Sequence, residues 1–325
     1  MKTRQKQLAK DHPQLFHYTN AAGLEGILRS QTLRATHYRY LNDIEEIRHF
    51  LKNELPKVFQ LVYFNHGKLK EEALHLGNKA AKSLEEKLLN STNSREPLAE
   101  PYITSFCTPR ESDSRVGTHG LLSQWRGYGK AGGFALVFET ALLSELLTDF
   151  AELYKNSGDL FAGDVVYSSD SDQVFTEEFA EDLTVMEEFL SSQLRGNEDD
   201  ESLGKVYSAV MQCACRYKHW GFKEENEVRL IFIPHSKEVR EYARNEEITI
   251  KEVPRKQFIR GGTNVPFVDL LEKITSSNRP LPIQRVIVGP CAEHVRDRRV
   301  RSVEILLQEH NIDAKVTVSE IPYVG

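Results

Sequence analysis

Two periods of polar and apolar residues run along this chain, and the changeovers between them mark its elements. LFHYT (15–19) is a short apolar run of extended character. Asn20 behind it suits the N-cap of AAGLEGILRS, where Leu24, Ile27 and Leu28 recur at helical spacing. LRATHYRY is a second extended candidate. From about Asp43 to Asn90 the pattern turns helical and heavily charged, divided by Pro56 and by a turn at Asn65–Gly67.

After the polar STNSREP the period shortens. PYITSFC, FALVF and DVVYSS read as strands, with LLSQWRGYG between the first two. The acidic stretch 172–203 is helix-rich, and a further helix is expected over 204–217. FKEENEVRLIF (222–232) then sets a polar hook before an apolar run. The C-terminal part reads as strand (RVIVG), helix (CAEHVRDRRVRSVEILLQEH) and strand (KVTVSEI). No internal repeat or low-complexity tract is present. Strands scattered between unequal helical stretches predict an α+β fold rather than a regular doubly wound sheet. The expected organisation is one β-rich core domain over residues 1–325, with helical insertions near 43–95 and 172–217. Two smaller domains are the alternative.

Composition narrows the function classes. A chain of 325 residues can bury a full core, and 40% hydrophobic with 28% charged residues is ordinary for a globular protein. The net charge of −6 gives no global attraction to nucleic acid, so such binding needs a local patch such as Arg296, Arg298, Arg299 and Arg301. The start, MKTRQKQLAKDHPQ, lacks the apolar centre of a secretory signal, and no run approaches the roughly 20 apolar residues of a membrane helix. Four cysteines fit a reduced compartment better than a disulfide framework. The expectation is a cytoplasmic protein that does not engage a membrane.

Several residues can carry chemistry. On an extended strand, residues two apart share a face, so Glu225, Glu227 and Arg229 would point the same way at the mouth of a sheet. Strand ends also carry acids that merely pair with a neighbouring arginine, and that reading stands beside the catalytic one. Possible partners are His17-Tyr18-Thr19, the hydroxyls of Thr104 and Ser105, and the aromatics Trp125 and Tyr128 of SQWRGYG. GKAGG (129–133) lacks the spacing of a phosphate-binding loop. Cys213, Cys215 and His219 do not complete a metal site, so no metal is expected.

In combination, His-Tyr-Thr before a short helix, LNDIEE, SFC, WRGYG, the Trp220–Arg229 stretch and VIVGP…VSEIPY resemble a bacterial family of domains of unknown function, over Leu15 to Tyr323. The order of a histidine on a first strand, a helix, a Ser/Thr strand and Glu-x-Glu opening a late strand also resembles the ADP-ribosyltransferase superfamily, above all its DNA-modifying toxins. That resemblance implies a split β-sheet core with helical insertions and NAD as substrate. It implies His17 on the adenosine-side ribose, Thr104 and Ser105 in the Ser-Thr-Ser position, Glu227 as catalytic glutamate and Glu225 as its companion. Tyr18, Thr19 and Arg229 would line the same site, and Trp125 or Tyr128 would stack on nicotinamide. It further implies a toxin or phage-defence effector, an antitoxin or other regulatory partner, and a macromolecular acceptor, nucleic acid before protein. A non-catalytic nucleotide or nucleic-acid binding module and an NAD glycohydrolase are the alternatives.

The chemistry suits the acids. Breaking the nicotinamide–ribose bond develops an oxocarbenium-like charge, which a fixed carboxylate stabilises more in the transition state than in the ground state.

Overall fold

The structure, a computed structural model, describes residues 2–41, 44–89, 100–109, 114–128, 133–155, 158–168, 179–195, 200–235, 237–276 and 278–322. The sheet is organised around β3 (Tyr102–Cys107), whose YITSFC sequence is almost wholly buried. Along one edge β3 pairs antiparallel with β8 (Glu227–Pro234), from Tyr102 opposite Phe232 to Cys107 opposite Glu227. Two strands share its other edge. β1 (Gln14–Thr19) meets β3 at Phe16–Cys107, and β2 (Leu33–His37) meets it at Thr36–Ile103 and His37–Tyr102. Both cannot continue along one edge, so the sheet forks beside residues 104–106.

From the fork, β1 continues into β4 (Phe134–Glu139), β11 (Ile283–Val288) and β12 (Lys315–Val318), while β2 continues into β10 (Thr263–Leu270) and β9 (Arg255–Arg260). β5 (Gly158–Asp164) pairs with the outer edge of β8. β6 (Val166–Ser168) and β7 (Tyr217–His219) form a separate parallel pair. The architecture is mixed α+β, as the pattern predicts.

Each face of the sheet is covered differently. One face buries Leu15, Phe106, Leu136, Val228 and Leu230 against Leu24, Ile27 and Leu28 of the helix Ala21–Ser30. That helix starts where the sequence places it, with the Asn20 side chain accepting from the Gly23 N–H at 2.9 Å, a cap worth about 1 kcal/mol. On the other face, Ile103, Ile231 and Ile233 join a cluster built by the helices Leu55–Asn65, Lys70–Leu89, Ala180–Leu194 and Asp200–Arg216. These helices, from two separate stretches of the chain, therefore pack together over the same side of the sheet. Gly77 permits the close crossing of the first two helices, since a Cβ there would lie 2.6 Å from the Gln60 backbone nitrogen.

Among the elements the pattern misses are the strands β5, β9 and β10 and the helices Lys2–Asp11, Thr140–Leu153 and Lys237–Asn245. β5 is masked by its glycines, and β9 with β10 by alternating charges and Pro266. The helix expected over 204–217 runs from Asp200 to Arg216 and gives way to β7. Among the described residues no helix is long and apolar enough to cross a membrane.

Candidate functional site

Asn226 sets the geometry of the acid pair. β7 carries Lys218, the 3₁₀ turn Trp220–Glu225 follows, and the chain reverses at Asn226 with φ 44° and ψ 57°. Asparagine tolerates that left-handed backbone. Its Nδ2 donates to the Thr108 carbonyl at 3.0 Å, and its own carbonyl accepts from the Thr108 N–H at 2.9 Å, so the turn is fastened just past the end of β3. Glu225 thus ends a 3₁₀ turn while Glu227 begins β8. The two acids do not share a pleated strand face, contrary to the extended-strand expectation. The turn brings them together on a cation instead.

That cation is Lys218, buried, with Nζ donating to Glu225 Oε2 at 2.8 Å and to Glu227 Oε2 at 3.2 Å. Arg229, two residues along β8, holds Glu227 with both arms of its fork: Nε to Oε1 at 2.7 Å and Nη2 to Oε2 at 3.0 Å. Its Nη1 donates to the Cys215 carbonyl at 2.7 Å. The Glu227 backbone N–H donates to the Tyr167 hydroxyl at 2.9 Å. Burial would raise the Glu227 carboxyl. The Arg229 guanidinium, the Lys218 ammonium and hydrogen bonds from Arg229 and Ser105 more than offset it and hold the carboxyl down at about 2. Glu227 is therefore ionised, 4% exposed, and engaged at both oxygens. Glu225 is the outward member, with 21% of its side chain exposed. Across the strand pair, burial first, then the charges of Glu227 and Glu225, push the Cys107 thiol well up, so it stays protonated.

The sequence-predicted residues divide into two groups. Glu225, Glu227, Arg229 and Ser105 come together on one face. His17 does not join them. Phe16 pairs with Cys107, so His17 falls beside Phe106, with the two rings 5.5 Å apart, on the face of Val228 and Leu230. Its Nδ1 bonds the Ser105 carbonyl at 3.0 Å where the sheet forks, and burial lowers its pKa against that bond. The expectation that His17, Ser105 and Glu227 open into one cleft is corrected by this alternation. Thr104 also faces the other way and donates to the Arg34 carbonyl at 2.9 Å.

The aromatic candidates are mostly core. Tyr18 accepts the Leu121 N–H at 2.8 Å and meets Trp125 edge-on at 4.8 Å. Trp125 donates to the His119 carbonyl at 3.0 Å and is walled in by Gly120 and Gly289, where a Cβ would come within 2.9 Å of its ring. Trp125 therefore offers no face to a heterocycle. Thr19 packs its hydroxyl against Gly23 at the start of the following helix. Tyr128 is 49% exposed, and GKAGG lies outside the described residues except for Gly133. Sequence reasoning missed Lys218, Tyr167 and the exposed rings of Trp220 and Phe222. Phe222 lies 4.9 Å from Lys218 Nζ. A lone lysine between Tyr217 and His219 gives no signal of burial.

Residues 124–230 match a family model described as a protein of unknown function (DUF2971). The matched span carries Trp125, Lys218, Glu225, Glu227 and Arg229. No curated protein and no solved structure matches the chain. Among the described residues no group of three or more His, Cys, Asp or Glu is arranged to hold a metal ion. The arginines of the helix Glu293–Glu309 do not form one anion cradle: Arg301 pairs with Glu304 at 3.1 Å, and Arg299 lies 4.9 Å from the centre of the Phe134 ring.

Proposed function

We propose that this protein is an NAD-dependent ADP-ribosyltransferase whose reaction centre is the acid pair at the mouth of β8. The observation that carries the reading is one ammonium shared by two carboxylates, one internal and ionised, the other facing outward. An oxocarbenium-like ribose needs a fixed negative partner, and Glu225 is the member of the pair that a ligand reaches. Both Glu227 oxygens are engaged, so Glu227 acts through Lys218 and Arg229 as the internal counter-charge. This exchanges the roles that the resemblance assigns to the two acids. The exposed Trp220 and Phe222 on the adjoining turn offer flat faces, and such faces hold bases of single-stranded nucleic acid. Nucleic acid is accordingly the proposed acceptor. A toxin or phage-defence setting rests on the resemblance alone.

The test is nicotinamide release from NAD by the purified protein, with labelled NAD offered to DNA, RNA and protein. Release with label on nucleic acid supports the proposal. Release with no labelled acceptor means hydrolysis. The second reading is a non-catalytic nucleotide-binding module, favoured by the saturation of Glu227 and by His17 facing the opposite side. In that case NAD raises the melting temperature and no nicotinamide appears.

A further inference from the structure

LNDIEE (41–46) leads into the first helical insertion, and its last residue reaches the reaction centre. Glu46 sits on the short helix Ile44–His49, with 15% of its side chain exposed and Oε2 buried. That oxygen lies 4.0 Å from Nη2 of Arg229, the same nitrogen that donates to Glu227 Oε2 at 3.0 Å. One buried guanidinium is thus flanked by carboxylates from two parts of the chain. The helix that carries Glu46 packs on β7, the strand of Lys218, and on the helix Asp200–Arg216, whose Cys215 carbonyl takes Nη1.

We propose that Glu46 is a positioning residue. It holds Arg229 from the insertion side, and through Arg229 it fixes the Glu227 carboxylate and the Lys218 ammonium beneath Glu225. A guanidinium is planar and its donors are rigidly spaced. The Glu46 carboxylate beside Nη2 therefore restrains rotation about the strand-side fork, and the attraction is strong where water is excluded. The reaction centre is then assembled jointly by the sheet and the first insertion. The catalytic part of this inference rests on the proposed function; the Glu46–Arg229–Glu227 coupling does not.

Two measurements separate those parts. The first is a thermal double-mutant cycle of Glu46→Gln and Glu227→Gln, with Arg229→Lys replacing Glu227→Gln if the latter does not fold. Residues that act through one guanidinium are non-additive, so the double variant should lose clearly less melting temperature than the sum of the single losses. The second is nicotinamide release by the folded Glu46→Gln protein. The expected kcat falls about ten- to a hundredfold with KM for NAD unchanged, and Glu46→Asp recovers part of it. If the wild type releases no nicotinamide, the enzymatic reading fails and the cycle alone decides whether Glu46 positions Arg229. Additive melting losses overturn the proposal, and so does unchanged kcat in an active enzyme.

Discussion

Glu227→Gln is the substitution that most directly probes the physics of the acid pair. It keeps shape and hydrogen-bonding capacity but removes the charge on which Arg229 and Lys218 converge. Holding the carboxyl at about 2, against an ordinary value near 4.5, corresponds to about 3 kcal/mol at 1.36 kcal/mol per pKa unit. Breaking a buried pair by removing one partner costs about 3–5 kcal/mol by an independent route. The two figures agree. At about 2 °C per kcal/mol for a chain of this size, the variant should melt roughly 6–10 °C below the wild type at pH 7. An exposed pair would cost at most about 1 kcal/mol, so the burial of the network decides the magnitude.

The pH dependence follows from the direction of the shift. A depressed carboxyl contributes stability above its unfolded value, near 4.5, and loses it as pH falls toward the folded value of about 2. The gap in melting temperature between wild type and Glu227→Gln should be constant from pH 7 to about 5. It should shrink to less than half by pH 3. Circular dichroism melts at pH 7, 5 and 3 measure this. Equal melting temperatures at pH 7, or a gap that widens on acidification, would refute the reasoning.

Glu225→Gln should separate chemistry from folding: a stability loss of about 1–3 kcal/mol, because buried Lys218 loses one of its two carboxylate partners, and nicotinamide release by the folded protein reduced about 10²–10³-fold. Unchanged turnover in that variant sinks the assignment of Glu225. Gly77→Ala should destabilise by about 1–3 kcal/mol, because its Cβ would meet the Gln60 backbone nitrogen at 2.6 Å and the two helices would have to shift apart; an unchanged melting curve contradicts the close crossing. The His12 imidazole bonds Asp164 at 2.6 Å, and that bond raises its pKa against burial. A raised histidine stabilises fully below its unfolded pKa and loses the contribution as pH rises through the folded one. The wild-type advantage over His12→Gln should therefore be larger at pH 5.5 than at pH 8.5. Because Asp164 is half exposed, it should stay on the order of 1 kcal/mol or less.

The legible part of the fold is what local chemistry determines. β1, β3 and β8 announce themselves as apolar runs, Asn20 as a cap, and the helices Leu55–Asn65, Lys70–Leu89 and Ala180–Leu194 as charged stretches of helical period. The candidate site was legible as residues but not as an arrangement. His17 and Glu227 lie on opposite faces because of a pairing between Phe16 and Cys107, residues 91 positions apart, and no local pattern encodes that register. The acids converge because Asn226 turns left-handed, whereas Glu-x-Glu before an apolar run reads as plain alternation. Lys218 is the hardest case. Lysine is nearly always exposed, and two carboxylate partners make the burial of Lys218 tolerable.

β8 itself carries the strongest argument for the proposed role of this network. On one face, Val228, Leu230 and Phe232 meet the core with side chains that cost nothing to desolvate. On the other, Ile231 and Ile233 do the same farther along the strand, but Glu227 and Arg229 occupy the two positions nearest the 3₁₀ turn. Taking each ion out of water costs several kcal/mol, and well-packed apolar residues of similar volume would usually hold such positions as firmly or more so. Stability alone therefore gives no reason to keep charges there. The strand retains them where Lys218 brings Glu225 to the solvent edge, and nowhere else along its length. A carboxylate at the surface, fixed from below by a buried cation and an ionised partner, is what the proposed reaction requires, since its ligand becomes positive as it reacts.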